Sequence, residues 1–247
     1  MNYNPASHLL PLKGALNARD LGNYPVTGLH KTRENVFFRS DSTSKYQKDD
    51  IAYLAGKNLG LVVDLRSEKE VVNAPSVFSN MKMIRYENVQ MLDDINSGPA
   101  AGGIPPSLGS IYIHLLNSAK SGFLKVFNAF AETLENKQSC LFHCAVGKDR
   151  TGTTAMLLLD LAGASDDVII QDYSVSYDFM KPVFDNQIAE YRARGYNIPE
   201  HMFRSDASNM EEALSHLRNV YGNAKDYLLE CGVSQNHIDI ITDRFVI

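Results

Sequence analysis

The chain has 247 residues, 44% of them hydrophobic, enough to bury a substantial core as one large domain or as one domain with an insertion. A formal net charge of −5 argues against a broad nucleic-acid-binding face, so any anionic ligand must be drawn by local charge. No apolar run is long enough for stable membrane insertion, and three cysteines without a Cys-x-x-Cys spacing point to reduced thiols.

Met1 to Asp20 has neither a basic start nor a sustained apolar core. A cleaved secretory signal is therefore not expected, the cytoplasm is the default location, and export by another route stays open. Strands are expected at NVFFRS (35–40), LGLVVDLRS (59–67), MKMIRYENV (81–89) and SCLFHC (139–144). Asp93 to Ser110 is rich in Gly, Pro and Ser and reads as a loop able to move. From Ser121 to Asn136, Phe123, Phe127, Phe130 and Leu134 recur at helical spacing, which predicts a helix lying against the sheet. The run TTAMLLLDLA (153–162) is too long for a strand and stops at Gly163, as a helix does. Beyond it the chain reads as helical. Ser165 to Arg204 is a candidate helical insertion packed on or over the site. Ser208 to Glu211 has capping-box spacing ahead of Ala213, Leu214, Leu217 and Val220, and Ser234 is placed to cap a last helix carrying Ile238, Ile241 and Phe245. Strands alternating with helices predict an α/β fold.

The informative stretch is HCAVGKDRTG, His143 to Gly152, where a buried strand meets a loop and a helix. Such a loop points backbone N–H groups inward, and the helix dipole adds partial positive charge, which makes an anion cradle. A cysteine at its base, Cys144, is expected to ionise readily and act as a nucleophile. Arg150 can fold back and hold two oxygens of a tetrahedral anion through its planar fork. Gly147 allows the turn, Ala145 and Val146 complete the cradle, and Thr151 is placed to hydrogen-bond the cysteine sulfur. His143 reads as an orienting partner, since a lone His-Cys pair lacks the other ligands of a zinc site. Neither a metal nor a cofactor is called for. A Walker loop is excluded, because glycine would have to replace Phe142 and Ser or Thr would have to replace Asp149. Nucleophile, cradle and clamp together fit attack of a thiolate on a phosphomonoester.

HCAVGKDRTG resembles the phosphate loop of cysteine-dependent protein tyrosine phosphatases, His-Cys-x5-Arg-Ser/Thr-Gly, and its Gly-Lys-Asp-Arg core is similar to a bacterial branch of atypical enzymes. NARDLGNYP, Asn17 to Pro25, resembles an early element of the same branch, with Asn23 where a second glycine is usual, and FFRSDS and VVDLRS follow in the expected order. The resemblance covers most of residues 14 to 163. It implies a tyrosine phosphatase-like fold, a mostly parallel central sheet flanked by helices with a helical insertion after the phosphate-loop helix. It implies action on phosphotyrosine, sometimes on phosphoserine or phosphothreonine, and on phosphoinositides. A phosphoprotein or phosphoinositide is thus the expected partner, with a purely phosphate-binding module as the non-catalytic alternative. The resemblance also implies an acid role for Asp149, while Asp93 and Asp94 occupy the place of a mobile acid loop in the wider family. Lys148 adds a cation suited to a second phosphate. Arg19, Asp20, Arg39, Asp41, Asp64 and Arg66 read equally as phosphate neighbours or as structural ion pairs.

Overall fold

The long apolar runs become the middle of a sheet whose residues alternate between two cores. In the computed structural model, which describes residues 4–91 and 105–247, five strands lie in the order β1-β2-β5-β3-β4. They are β1 (Arg19–Asp20), β2 (Phe37–Ser40), β3 (Leu59–Asp64), β4 (Arg85–Asn88) and β5 (Ser139–His143). β5 is parallel to β2 and β3, β3 is parallel to β4, and only the short β1 runs antiparallel, against β2. Every residue of β2, β3 and β5 is buried, as expected of strands covered on both faces. Phe37, Leu61, Val63, Cys140 and Phe142 point into one core, and Phe38, Val62 and Leu141 into the other. This is the period-two alternation of the pleat.

Short helices α1 (Lys48–Ala55) and α2 (Glu68–Asn73) follow β2 and β3. Helix α3 (Leu108–Ser118) begins inside the stretch read as loop: Ser107 Oγ accepts from Ser110 N–H at 3.1 Å, and the described end of that stretch is the helix's first turn. Helix α4 (Lys120–Glu135) buries Phe123, Phe127, Phe130 and Leu134 against the sheet, each burial worth about 1.5–3 kcal/mol. After β5 come α5 (Asp149–Leu161), α6 (Asp166–Ala193), α7 (Ala207–His216), α8 (Ala224–Glu230) and α9 (Gln235–Phe245). Ser165 caps α6, and Ser234 caps α9 as expected. The capping box expected at Ser208 is not formed. Asp206 is the residue preceding α7, so Ser208 already lies in its first turn.

Helix α6 is long enough to leave the sheet. Its Met180 and Phe184 form a separate apolar cluster with Phe203, against which Val146 and Met202 pack. The stretch after α5 thereby rests on the loop that follows β5.

Candidate active site

Cys144 follows the last residue of β5 and is 1% exposed. The next three residues are held by their carbonyls. Ser42 N–H donates to Ala145 O at 3.0 Å, Asn17 Nδ2 donates to Val146 O at 2.9 Å and to Gly147 O at 3.2 Å, and Arg39 donates to Gly147 O at 2.7 Å. With the carbonyls committed to the scaffold, the amides of Ala145 to Asp149 have no acceptor among the described residues. The peptide units are thus fixed with their donors available for an anion. Gly147 is required twice over: its φ is +69°, and a Cβ there would lie 2.6 Å from Ser40 O.

Arg150 lies in the first turn of α5, 4% exposed. Its terminal nitrogens grip Glu70 at 2.6 and 2.9 Å in a two-pronged pair, and Glu70 is itself fixed by accepting from Ser67 N–H at 2.8 Å. Burial is the largest single influence on Arg150 and opposes its charge, but the hydrogen bond to Glu70 and the surrounding negative charges, Glu70 and Asp149 among them, together hold the pKa above the ordinary arginine value. Arg150 Nε and Thr151 Oγ1 are buried without a hydrogen-bond partner among the described residues. Thr151 therefore does not bond the Cys144 sulfur as expected; its hydroxyl is an unsatisfied donor beside the cradle. Buried polar groups are rarely left this way, and two at the same helix start mark a place for a polar ligand.

His143 Nδ1 donates to Cys144 O at 3.1 Å, and Nε2 lies 3.3 Å from Thr43 Oγ1 and 3.5 Å from Asp64. Burial lowers its pKa, partly opposed by the Asp64 charge, which suits an orienting role and a neutral ring. Lys148 departs from expectation. It is 1% exposed, and its Nζ donates to Met202 O at 3.1 Å and Arg204 O at 2.9 Å, 5.5 Å above the Phe184 ring. Burial lowers its pKa, opposed by Asp149. The cation expected to meet a second phosphate is instead tied to the backbone after α6, because the apolar cluster of α6 brings those carbonyls down onto the loop. Asp149 sits at the start of α5, its side chain 15% exposed, 3.5 Å from Lys148 Nζ and accepting from Tyr112 Oη at 2.5 Å. Asp93 and Asp94, the other candidate acids, lie outside the described residues.

The six charged residues left open by the sequence all have partners within the fold, and Arg39 reaches the loop as well. Arg19 and Arg39 both pair with Asp172 of α6, at 2.8 Å for Arg19 Nε, and Tyr24 Oη donates to the same carboxylate at 2.7 Å. Burial would push Asp172 up, but the two guanidinium groups pull it down to about 2. Arg66 pairs with Asp64 at 2.6 and 2.9 Å. Asp41 accepts the amides of Leu16 and Asn17, and Asp20 those of Gly22 and Asn35. Asn23 has φ +61°, a left-handed conformation that asparagine tolerates, which explains why it can stand where glycine is usual. Glu70, Tyr112 and Asp172 were not singled out from the sequence; only the Ser67–Glu70 capping-box spacing marked one of them.

The model of the tyrosine phosphatase family matches residues 10–247. The chain is 28% identical over 219 residues to a tyrosine-protein phosphatase of Nostoc commune, covering 85% of this chain and 74% of that protein. It is 26% identical over 242 residues to a protein of Cupriavidus necator, covering 92% and 86%. It is 24% identical over 268 aligned positions to the triple specificity protein phosphatase PtpB of Mycobacterium tuberculosis, covering 91% and 94%.

Proposed function

The chain belongs to the tyrosine phosphatase family, and from that premise we propose that it hydrolyses phosphotyrosine in proteins through a phosphocysteine intermediate on Cys144. The observation that carries this reading is the loop itself: three carbonyls anchored outward, amides from Ala145 to Asp149 left as donors, and Cys144 at their base. The Cys144 sulfur attacks phosphorus as a thiolate. The equatorial oxygens accept from the amides and from Arg150, which Glu70 holds in place. As the S–P bond forms and the P–O bond breaks, the electron pair goes to the departing phenolic oxygen, which takes a proton from Asp149. Water then attacks the phosphocysteine, its proton passes to the Asp149 carboxylate, and the S–P electron pair returns to sulfur. Residues 165–204 serve as a lid of the same domain, fastened by Lys148.

Phosphoserine, phosphothreonine and phosphoinositides are secondary substrates of this one site. A relative named for triple specificity supports that breadth. The burial of Lys148 removes the argument for a dedicated second phosphate contact.

Cys144→Ser is expected to abolish turnover while leaving oxyanion binding largely intact, since the cradle is backbone. Orthovanadate should inhibit the wild type and chelators should not. On a panel of phosphopeptides and phosphoinositides, the phosphotyrosine peptide should turn over fastest. Activity retained in Cys144→Ser, or lost with a chelator, would overturn the mechanism; a lipid turned over faster than the peptide would overturn the substrate assignment.

A further inference from the structure

Asp149 is the end of a one-way chain of hydrogen bonds drawn from two other helices. Tyr112 of α3 is fully buried, and its hydroxyl lies 2.5 Å from Asp149 Oδ1 and 2.7 Å from Tyr173 Oη of α6. The direction of each bond follows from its partners. Tyr112 donates to Asp149, whose carboxylate can only accept, and with its one proton spent there Tyr112 accepts from Tyr173. Bonds aligned this way polarise one another. Tyr112 and Tyr173 stay protonated throughout, because burial first, and then the Asp149 charge, hold both phenols above the ordinary tyrosine value.

We propose that Tyr112, backed by Tyr173, is a positioning residue for the acid: it holds Oδ1 as an acceptor, so that the transferable proton resides on Oδ2. This rests on the assignment of Asp149 as the acid above. In the first step the Oδ2–H bond breaks as the proton passes to the leaving oxygen, and the resulting carboxylate keeps the Tyr112 bond. In the second step Oδ2 takes the proton of the attacking water. Without the phenol, only the longer 3.5 Å approach of Lys148 Nζ is left on Oδ1, so the preference for a proton on Oδ2 weakens and the carboxyl can turn away from the leaving group.

The test compares kcat on a phosphotyrosine peptide with kcat on an activated aryl phosphate, whose leaving group departs without a proton. Tyr112→Phe should slow the peptide about tenfold, the size of one hydrogen bond to a charged group, and the activated ester less than about twofold. In an Asp149→Asn background, Tyr112→Phe should add less than about twofold on either substrate, since nothing is left to position. Tyr173→Phe should show the same leaving-group pattern at roughly threefold, the polarising contribution alone, and it gives the same comparison should Tyr112→Phe not fold. Equal losses on both substrates, or a full Tyr112→Phe effect in the Asp149→Asn background, would overturn the inference. Should Asp149→Asn itself show no dependence on the leaving group, the acid assignment falls and this inference with it, while the nucleophile remains judged by Cys144→Ser alone.

Discussion

Arg150 sets one N–H of each terminal nitrogen on Glu70 and so leaves Nε–H, buried without a partner among the described residues, and a further N–H to grip two phosphate oxygens, a double use that a lysine cannot reproduce. Arg150→Lys is accordingly expected to lower kcat on the order of 100-fold, with a smaller change in KM, because the lost hydrogen bonds are to groups that carry charge in the transition state. Steady-state kinetics on a phosphotyrosine peptide decides this; a near-normal kcat would place the guanidinium outside the phosphate contacts. Cys144, Gly147 and Arg150 were legible in the sequence because one short loop carries all three. Glu70 and Tyr112 were not, since each reaches that loop from a distant part of the chain and is, taken alone, an ordinary glutamate or tyrosine; Asn17 was marked only as the start of an early motif, with no sign that it holds the loop's carbonyls. The Lys148 charge was legible and its use was not: the direction of a side chain depends on what packs over it, here the carbonyls of Met202 and Arg204.

Among the elements, α6 is joined to the loop through two arginines without contributing to its sequence. Asp172 takes Arg19 and Arg39, Arg39 takes Gly147 O, and Arg19 lies next to Asn17, which holds Val146 O. Replacing Asp172 by Asn keeps the shape and removes the charge that two buried guanidinium groups share. The expected loss is about 3–5 kcal/mol of unfolding free energy, measured by urea titration. A loss under about 1 kcal/mol would mean that those arginines are balanced elsewhere. Fully buried, mainly apolar strands such as β3 and β5 announce themselves by composition, whereas β1 is only Arg19 and Asp20 and exists because β2 offers it a partner. Helix α3 was hidden because its first turn, Leu108 to Ser110, shares the small residues of the loop before it.

For the molecule as a whole, two buried acids set opposite slopes on the acid side of its stability curve. Burial first, against the amides of Asn35 and Gly22, raises Asp20 from 3.8 to about 6. The folded state therefore binds a proton that the unfolded chain has released, and this contribution is full below pH about 4 and is lost as pH rises through about 6. Asp172, pulled down to about 2, works the other way, contributing above pH about 4 and failing as pH falls towards 2. Asp20→Asn should remove a decline of roughly 2 kcal/mol between pH 4 and 6.5 relative to wild type. Urea titrations at the two pH values test this, and parallel curves for the two proteins would refute it. The sheet order has a consequence for how the chain is made. β2 and β3 are neighbours in sequence but never pair; β5 stands between them and is synthesised some 75 residues after β3 ends, going by the residue numbers of the strands. Until it arrives, a nascent chain on the ribosome carries two apolar strands with open edges, each a template for another chain. The strand that delivers Cys144 is thus also the one whose arrival ends the period in which this protein is most prone to aggregate.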